Sequence, residues 1–485
     1  NMKTNLVFAL AVLCLLISAS SSAKLDFSQL KLRMLENNDF NTFINEYIGE
    51  KSTTRFFTYE NIVDFFTAIT SQFPYISRVS SIGKSVEGRD MPLLTLGSKI
   101  AENEAKSGKD NPPSIFLTSV HHAREVLGVT MNVYTMLYLI HSHAHNNTAV
   151  EALMNHHNFY SLPMVNVDGY ALISDIYDKS GIFEMVRKNR RKESDCIGTS
   201  IGVDLNRNYG YKWGYDDIGS TSRQCEEDYR GVSPFSEPET LAVKNFMTSK
   251  NKNIKIAINF HTWGNLFIIP FNYDDQWNKE MVNKEIYKMY EDIRDSGTLP
   301  QGMLFGNGKQ TIQYTANGDA TDWMATQNGI LAISPELGIN NGLTDKFFPN
   351  QEWTKPIMEQ NFKWINYTML KLSSQLETNI AKFTRIECLN NCTPVDENFK
   401  RFYLEIEVRN VGFSEVKNVQ VQFKETKPFE IAIIDGESKQ DVVGKENVLK
   451  HHSLKSLESK TWKAEARISK EDWAKINAES TLKSE

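Results

Sequence analysis

Residues 120–125 of this chain read Val-His-His-Ala-Arg-Glu, and the sequence on either side of them indicates how the chain folds. The apolar run Ser114–Val120 is typical of a buried β-strand, and the apolar-rich stretch Val126–Ile140 is typical of a helix. His122 and Glu125 lie where the chain turns, so both side chains can point at one metal ion. Imidazole nitrogens and carboxylate oxygens are ordinary zinc ligands, and catalytic zinc sites usually have three protein ligands. The sequence therefore predicts two of three zinc ligands here.

The best candidate for the third ligand is His261, which directly follows a strand-like run over residues 254–260. Ligands need to meet only in the folded chain, so its distance from Glu125 along the sequence does not count against it. A histidine at a strand end can also be a hydrogen-bonded core residue. Three histidines within residues 141–145 form another possible metal cluster, but no strand end or carboxylate accompanies them. We expect those three to lie at a solvated helix end.

The apolar strands alternate with longer helical stretches. Continuous apolar runs at 159–165 and 329–334 resemble the two strands above. Such runs favour a parallel sheet that is covered on both faces. Polar residues follow the strand ends, which is where sheets of this class place their sites. The sequence thus predicts an α/β domain over residues 55–377, with a mixed, mostly parallel central sheet and helices on both faces.

Residues 378–485 follow a different pattern. Apolar and polar residues alternate, for example at Phe402, Leu404 and Ile406. This period of two is typical of antiparallel strands with one exposed face. We therefore predict a C-terminal antiparallel β-sandwich, followed by a tail.

Composition and the N-terminus limit the class of protein. The 485 residues are 40% hydrophobic and 24% charged, which is ordinary for a soluble globular protein. The net charge of −6 gives no sign of a nucleic-acid partner.

The N-terminal residues are typical of a secretory signal. Lys3, the apolar run 6–17 and the small residues 18–23 predict a signal peptide over residues 1–23. The alternative, a membrane anchor, would need a longer apolar run. We expect a secreted protein or one of a lysosome-like compartment, with no membrane span once the signal is removed. The oligomeric state is not indicated.

Loss of Cys14 with the signal leaves four cysteines, which fits two disulfides in an oxidising compartment. Cys388 and Cys392 can close a small local loop, which would leave Cys196 to pair with Cys225. Other pairings stay open at this stage. Three sequons are compatible with glycosylation in the secretory pathway: Asn146, Asn366 and Asn391.

A set of motifs then occurs in order along the chain. They are His122-x-x-Glu125 within His-Ala-Arg-Glu, Met185-Val-Arg187-Lys, Gly202-Val-Asp204-Leu-Asn206-Arg207-Asn208, Phe260-His261-Thr262-Trp263, Tyr314, Thr321-Asp322-Trp323 and Pro335-Glu336-Leu337. Together they resemble the carboxypeptidase A/B family of zinc metallocarboxypeptidases, over about residues 55–375. The resemblance implies a carboxypeptidase-like α/β fold, one zinc ion per chain, and hydrolysis of the C-terminal peptide bond of peptides and proteins.

The resemblance also implies the catalytic residues. His122, Glu125 and His261 correspond to the zinc ligands of the family. Glu336 corresponds to the general base, which takes a proton from the attacking water and passes it to the leaving amine. Arg187 corresponds to the residue that offers positive charge to the oxyanion as it forms.

Other residues match positions that hold the substrate. Asn206 and Arg207 fit a clamp for the terminal carboxylate, because a guanidinium binds a carboxylate through two hydrogen bonds. Tyr314 would close over the substrate, and Arg124 would contact it further from the cut. Asp204 resembles the carboxylate that orients a ligand histidine.

In two places the chain departs from the digestive members of that family. Residues 24–54 are too few for their folded inhibitory prosegment, so we expect this short N-terminal segment to be trimmed or to lie along the surface. The C-terminal residues 378–485 have no counterpart, and the resemblance implies no function for them. The positions of Cys196 and Cys225, in contrast, resemble a disulfide of the family.

Alignment to the family places the pocket for the terminal side chain at Ile268, Ala316, Asp319, Thr321 and Ser334. Members that cut after Lys or Arg have an aspartate at the position of Thr321, and members that prefer apolar ends have an apolar residue there. The small Ala316 and Ser334 leave room for a bulky apolar side chain, and Asp319 could meet a basic head group. We therefore predict mixed hydrophobic and basic specificity. Alternatively, Asp319 caps the helix that follows it.

Two other functions are alternatives to a peptidase. One is a catalytically inactive protein that binds C-termini, although no ligand or base is missing from the motifs. The other is a related zinc hydrolase that acts on side-chain amides or removes glutamates from cytosolic proteins. The predicted signal peptide and carboxylate clamp argue against this second alternative.

Overall fold

The structure is a computed structural model. It describes residues 25–49, 52, 56–106, 111–192, 195–249, 252–276, 281–327, 329–339 and 347–373, and the backbone of six strands within residues 376–469. The chain divides into two compact units, Asn1–Leu372 and Ser373–Glu485. The predicted signal peptide, the Cys388–Cys392 pair and the sequon at Asn391 lie outside the described residues. Within those ranges, no helix combines the length and apolar character needed to cross a bilayer.

The helices of the first unit are α1 (Leu30–Glu36), α2 (Phe40–Ile44), α3 (Tyr59–Gln72), α4 (Ile100–Ala105), α5 (Leu127–Ala144), α6 (Thr148–His156), α7 (Val167–Ser180), α8 (Pro238–Met247), α9 (Lys284–Asp295), α10 (Gly308–Thr311), α11 (Ala320–Ala325) and α12 (Gln351–Leu370). Its strands are β1 (Ser77–Lys84), β2 (Asp90–Leu96), β3 (Ser114–Ser119), β4 (Phe159–Leu162), β5 (Ile254–Thr262), β6 (Leu266–Ile268), β7 (Leu304–Gly306) and β8 (Leu331–Leu337). Short 3-10 turns lie at Gly198–Ser200 and Leu205–Arg207.

These eight strands form one mixed sheet, in the order β1-β2-β4-β3-β5-β8-β6-β7. The central pairs β4–β3, β3–β5 and β5–β8 are parallel. At one edge β1, β2 and β4 pair antiparallel, and at the other β6 runs antiparallel to β8 and parallel to β7. Every residue of β3 and β4 is buried, as expected for strands that are covered on both faces. The predicted mixed α/β sheet with helices is thus confirmed.

The chain leaves β3 through a strained residue. Val120 is fully buried and has φ 56°, a backbone conformation that β-branched residues rarely adopt. Its carbonyl accepts a hydrogen bond from the Asn166 N–H at 2.9 Å, which ties the turn to the segment after β4. Such strain persists where the surrounding structure fixes the backbone, and it is common at functional sites. Here it turns His121 and His122 out of the strand direction.

The N-terminal segment packs tightly on the first unit. Phe27 contacts Phe65 of α3 at a centroid distance of 5.3 Å, and Phe40 lies edge-on to Tyr134 of α5 at 5.1 Å. The Lys355 ammonium group of α12 donates a hydrogen bond to the Asn45 side chain at 2.6 Å. The described part of residues 24–54 therefore packs on the first unit through buried aromatic side chains. This is a tighter association than the placement along the surface that the sequence predicts.

His141, the first of the three histidines within residues 141–145, lies beneath this segment. His141 is 4% exposed, and its Nε2 donates a hydrogen bond to the Asn37 carbonyl at 2.8 Å. Burial lowers the pKa of His141, which favours the neutral ring. The predicted solvated helix end is wrong for this residue, because α1 and α2 cover it.

The second unit consists of antiparallel pairs. Its strands are β9 (Leu376–Arg385), β10 (Phe399–Asn410), β11 (Val416–Gln422), β12 (Phe429–Ile433), β13 (Val448–Leu454) and β14 (Ser459–Ser469). They form a four-stranded sheet, β12-β14-β10-β9, and a two-stranded sheet, β11-β13. The packing of these sheets into a β-sandwich stays a prediction.

A glycine before the site gives a test of this architecture. Gly202 has φ 103°, and a Cβ built on it would collide with the Asn189 carbonyl. Two hydrogen bonds between Asn189 and Val203, at 3.0 and 2.8 Å, hold these segments together. We expect Gly202→Ala to lower the free energy of unfolding by roughly 3–5 kcal/mol, measured by urea denaturation.

Gly88 provides the matched control. It has φ 84°, and a Cβ there would meet nothing within 4 Å. Gly88→Ala should cost only about 1 kcal/mol, the penalty for a side chain at positive φ. Equal losses in the two variants would show that the contact with Asn189 does not constrain the fold.

Candidate metal centre and active site

Three side chains meet at the carboxyl ends of the central strands. His122 and Glu125 lie in the turn between β3 and α5, and His261 lies on β5. The Nδ1 atom of His122 is 2.6 Å from Glu125 Oε1, and the Nδ1 atom of His261 is 2.8 Å from Glu125 Oε2. Each residue is at most 4% exposed, and their ligand atoms all lie within 4.8 Å of one another. The three ligands predicted from sequence therefore converge on one point.

The chemistry of this donor set fits zinc, which binds imidazole nitrogen and carboxylate oxygen. Burial alone would raise the pKa of Glu125, but the neighbouring His122 and His261 hold it well below its usual range. Glu125 is therefore an anionic ligand. Among the residues that the structure describes, no other group of three His, Cys, Asp or Glu side chains is close enough to hold a metal ion.

Asp204 connects this cluster to an arginine. Its Oδ1 lies 3.1 Å from His122 Nε2, and its Oδ2 accepts two hydrogen bonds from Arg187, from Nε at 3.0 Å and from Nη2 at 2.8 Å. Burial would raise the pKa of Asp204, but Arg187 and His122 hold it well below its usual range. The Asp204 carboxylate therefore favours a hydrogen on His122 Nε2, which leaves Nδ1 free to bind a metal.

The register of the sheet sets the position of Glu336. In the β5–β8 pair, His261 stands opposite Glu336. The Oε2 atom of Glu336 is buried and has no hydrogen-bond partner among the described residues. Burial and the charge of Glu125 raise the pKa of Glu336 well above its usual value, against the opposing effect of Arg187. A carboxylate with a raised pKa is suited to accept and return a proton near neutral pH.

Arg187 and Arg207 bring positive charge to the site. Backbone hydrogen bonds from Ala123 N–H to the Arg187 carbonyl, at 3.1 Å, and from Arg124 N–H to the Val186 carbonyl, at 2.8 Å, place Arg187 beside the metal ligands. Arg207 is 5% exposed and donates from Nη1 to a backbone carbonyl, while its Nε has no partner in the described part of the chain. A buried donor without a partner is costly, so this guanidinium is suited to an anionic ligand.

The remaining predicted substrate residues lie around this centre. Asn206 accepts a hydrogen bond at Oδ1 from the Ala320 N–H at 3.0 Å. Tyr314 is half exposed. Burial of the remainder of its side chain raises its pKa, and the positive charge of Arg207 opposes that shift only in part. The Arg124 side chain is largely covered, with 16% exposure, and its Nη1 donates to Glu227 at 3.0 Å.

The residues predicted for the specificity pocket come from separate segments. Ile268 pairs with Ser334 across β6 and β8, and both are buried. Ala316 is 5% exposed. Thr321 accepts a hydrogen bond at Oγ1 from the Asn259 side chain at 3.1 Å, so its hydroxyl is engaged.

Asp319 is the N-cap of α11. Its Oδ1 accepts the Asp322 N–H at 2.8 Å, and its Oδ2 accepts a hydrogen bond from Asn272 Nδ2 at 2.9 Å. The geometry therefore shows the capping role that the sequence leaves as an alternative. Burial raises the pKa of Asp319, against the opposing effect of these hydrogen bonds and of Arg207.

A disulfide between Cys196 and Cys225 closes the long loop before α8. The buried Lys188 ammonium group donates to the carbonyls of Gln224 and Glu226 at 2.8 and 2.9 Å. These contacts fix the stretch that carries Glu227, the partner of Arg124. The loop is thus tied to the segment that contains Arg187.

Three residues at the site were missed by reasoning from sequence: His121, Asn272 and Glu227. The position of His121 next to a ligand was a signal that could have found it. Asn272 and Glu227 lie in no motif, and only the folded chain brings them to the site.

Comparison with known proteins agrees with this geometry. A family model described as zinc carboxypeptidase matches residues 62–364. Carboxypeptidase B of Astacus astacus is 28% identical over 283 residues, which cover 57% of this chain and 84% of that protein. Mast cell carboxypeptidase A of Homo sapiens is 31% identical over 279 residues, 57% of this chain and 61% of that protein. The chain thus spans about three-fifths of the length of this second relative.

Two solved structures show the same fold. Bovine thrombin-activatable fibrinolysis inhibitor, solved in complex with tick carboxypeptidase inhibitor, has a TM-score of 0.51 and 24% identity, and the match covers 65% of this chain and 97% of that one. Carboxypeptidase A from Helicoverpa armigera has a TM-score of 0.52 and 23% identity, with 68% and 80% covered. At these identities the likeness supports the fold alone.

The link through Asp204 can be tested by metal binding. Asp204→Asn keeps the shape of the side chain but removes the charge that holds His122 and Arg187. We expect zinc affinity to fall about 10- to 100-fold, as measured by competition with a chelator at equilibrium. Asp178→Asn, on an exposed residue of α7, is the control and should leave the affinity unchanged. Unchanged affinity in Asp204→Asn would contradict the orienting role.

Proposed function

Since this chain belongs to the zinc carboxypeptidase family, we propose that it hydrolyses the C-terminal peptide bond of peptides or proteins. Family membership supplies the enzyme class and the metal; the roles of individual side chains are part of the proposal. The observation that carries it is the buried Arg207, whose Nε has no partner in the described structure. A C-terminal carboxylate would satisfy that donor.

The metal ligands, base and oxyanion residue have distinct tasks in this proposal. A zinc ion held by His122, Glu125 and His261 would polarise the scissile carbonyl and acidify a water molecule. Glu336 takes a proton from the attacking water and gives it to the leaving amine, a task that its raised pKa supports. Arg187 stabilises the negative charge that develops on the carbonyl oxygen. Its two hydrogen bonds to Asp204 hold the guanidinium in place before the substrate arrives.

A clamp for the chain end explains why an exopeptidase would need the remaining polar residues. The carboxylate distinguishes a C-terminus from an internal peptide bond. Arg207 binds that carboxylate, and Asn206, fixed by its contact with α11, donates beside it. Tyr314 is exposed at the rim and closes over the substrate, and Arg124 contacts it further from the cut.

The activity is tested with matched peptides that have a free or an amidated C-terminus. We expect zinc-dependent release of the last residue from the free peptide only. Glu336→Gln should lower kcat about 10²- to 10⁴-fold without loss of bound zinc, because it removes the base and keeps the ligands. The free and amidated peptides are the internal control for the clamp.

Each competing function gives a different outcome in the same assay. Comparable cleavage of amidated peptides or side-chain amides would favour the related zinc amide hydrolase. Tight zinc and peptide binding without turnover in the wild-type protein would favour the inactive C-terminus-binding protein.

For specificity we propose that apolar C-terminal residues are accepted well, basic ones also, and acidic ones poorly. The small Ala316 and Ser334 and the apolar Ile268 support the first part. The Asp319 carboxylate supports the second, since each of its oxygens can accept a further hydrogen bond besides the capping contacts. Thr321 is engaged with Asn259 and contributes shape rather than charge.

Asp319→Asn separates charge from capping, because asparagine is as good an N-cap as aspartate. We expect kcat/KM for Lys-ended peptides to fall about tenfold relative to Leu-ended peptides. Burial raises the pKa of Asp319, so its charge is lost at a higher pH than that of an ordinary aspartate. The Lys/Leu ratio of the wild-type protein should therefore fall as the pH is lowered, and that of the variant should not. An equal loss on both peptides would leave Asp319 with the capping role only.

We also propose a domain arrangement and a compartment. The proposed domain arrangement comprises a signal peptide at 1–23, the short segment 24–54, a catalytic domain at 55–377, and a C-terminal β-sandwich-like domain with tail at 378–485. Secretion or a lysosome-like compartment goes with the signal peptide and with the Cys196–Cys225 disulfide. Of the described sequons, Asn146 is exposed between α5 and α6, whereas the Thr368 of the Asn366 sequon is buried within α12. Asn146 is therefore the better site for a glycan.

A further inference from the structure

His121 is a buried histidine that the proposed mechanism leaves unused. It is fully buried, directly before the ligand His122. Its Nε2 lies 2.9 Å from the Tyr209 hydroxyl, while its Nδ1 is buried with no hydrogen-bond partner in the described part of the chain. Tyr209 is itself fully buried and packs on Trp323 and Phe235, so the anchor is rigid.

The ring of His121 stacks on that of His261. Their centroids are 5.6 Å apart, and the ring planes differ by 21°. His261 turns its Nδ1 towards Glu125, and its Nε2 is buried without a partner among the described residues. A histidine that binds a metal through Nδ1 carries its hydrogen on Nε2. His261 therefore presents a buried donor that needs an acceptor.

The two unpartnered nitrogens are complementary. If His121 donates from Nε2 to the Tyr209 hydroxyl, its Nδ1 has no hydrogen and is an acceptor. That acceptor belongs to the ring that stacks on His261. The other ligand histidine, His122, already has an acceptor for its Nε2 in Asp204. Ligating histidines almost always donate their second N–H in this way.

We propose that His121 is a positioning residue for the metal ligand His261. Its ring packs on the His261 imidazole and fixes the orientation of that ring, and its Nδ1 accepts the His261 Nε2–H through one bridging water molecule. Tyr209 sets the tautomer that makes this possible. The inference rests on the zinc site of the proposed function and not on the peptide substrate.

The test measures metal binding. His121→Phe keeps a ring of similar shape and removes both nitrogens, and we expect zinc affinity to fall about 10- to 100-fold in chelator competition. Tyr209→Phe keeps His121 and removes the hydroxyl that orients it, so a smaller loss is expected. Replacing zinc with cobalt adds a spectroscopic readout: the visible absorption bands should shift in both variants, because the ligand His261 changes its orientation.

Tyr290→Phe is the matched control. Tyr290 is also fully buried, and its hydroxyl donates to the Ala332 carbonyl at 2.6 Å, away from the metal ligands. This variant should lose stability but keep the zinc affinity and the cobalt spectrum. If the role of His121 were purely structural, His121→Phe would likewise lose stability and keep both the zinc affinity and the cobalt spectrum.

Zinc affinity of His121→Phe within about twofold of wild type, with an unchanged cobalt spectrum, would overturn the inference. If His121→Phe does not fold, the same two measurements on Tyr209→Phe decide it. Wild-type protein that binds zinc but cleaves no peptide would refute the proposed peptidase function, while the affinities of the variants would still decide the role of His121.

Discussion

The site depends on one buried carboxylate. Asp204 accepts hydrogen bonds from His122, from the Arg187 guanidinium and from the Asn206 N–H, so a single side chain connects a metal ligand, a positive charge and the proposed carboxylate clamp. Burying an anion is expensive unless it is paired and fully hydrogen-bonded, and Asp204 meets both conditions. Removing it would leave the Arg187 side chain, only 11% exposed, without its counter-charge. The three functions are therefore coupled through one charge rather than assembled independently.

Strand register provides the second constraint. The parallel β5–β8 pair sets Glu336 opposite His261, and the antiparallel β6–β8 pair sets Ile268 opposite Ser334. Because side chains alternate along a strand, a slip of one residue would turn Glu336 away from the metal ligands. The proposed base Glu336 and the proposed pocket residues Ile268 and Ser334 are thus positioned by backbone hydrogen bonds of the same strand, β8. The strained Val120, which follows β3, adds to this arrangement because it turns His122 towards the ends of β5 and β8.

Much of the fold and the metal ligands could be predicted, because both follow from local signals. Continuous apolar strands that end in His122, Glu125 and His261 indicate a sheet and a shared site at its edge. Asp319 is an example that local signals do not decide. The sequence is compatible both with a role in the pocket and with a helix cap, and the cap is seen only in the contacts of Asp319 with Asp322 and Asn272. The burial of His141 was missed for a related reason. It depends on α1 and α2 folding back over α5, and no pattern in the sequence reports that contact.

The packing of the N-terminal segment has a consequence for how the chain could be processed. Tyr47 stacks on Phe27 and packs against Phe43, and these two rings contact Phe65 of α3 and His141 of α5 in turn. The Gln351 side chain of α12 donates to the Gly49 carbonyl at 2.6 Å. This segment is held by its own buried side chains and not merely by its covalent connection. An endoprotease that cut just after residue 49 would yield a nicked, two-chain molecule whose pieces co-migrate until a denaturant separates them. This packing opposes the simple release of residues 25–49 as a free peptide after a single cut.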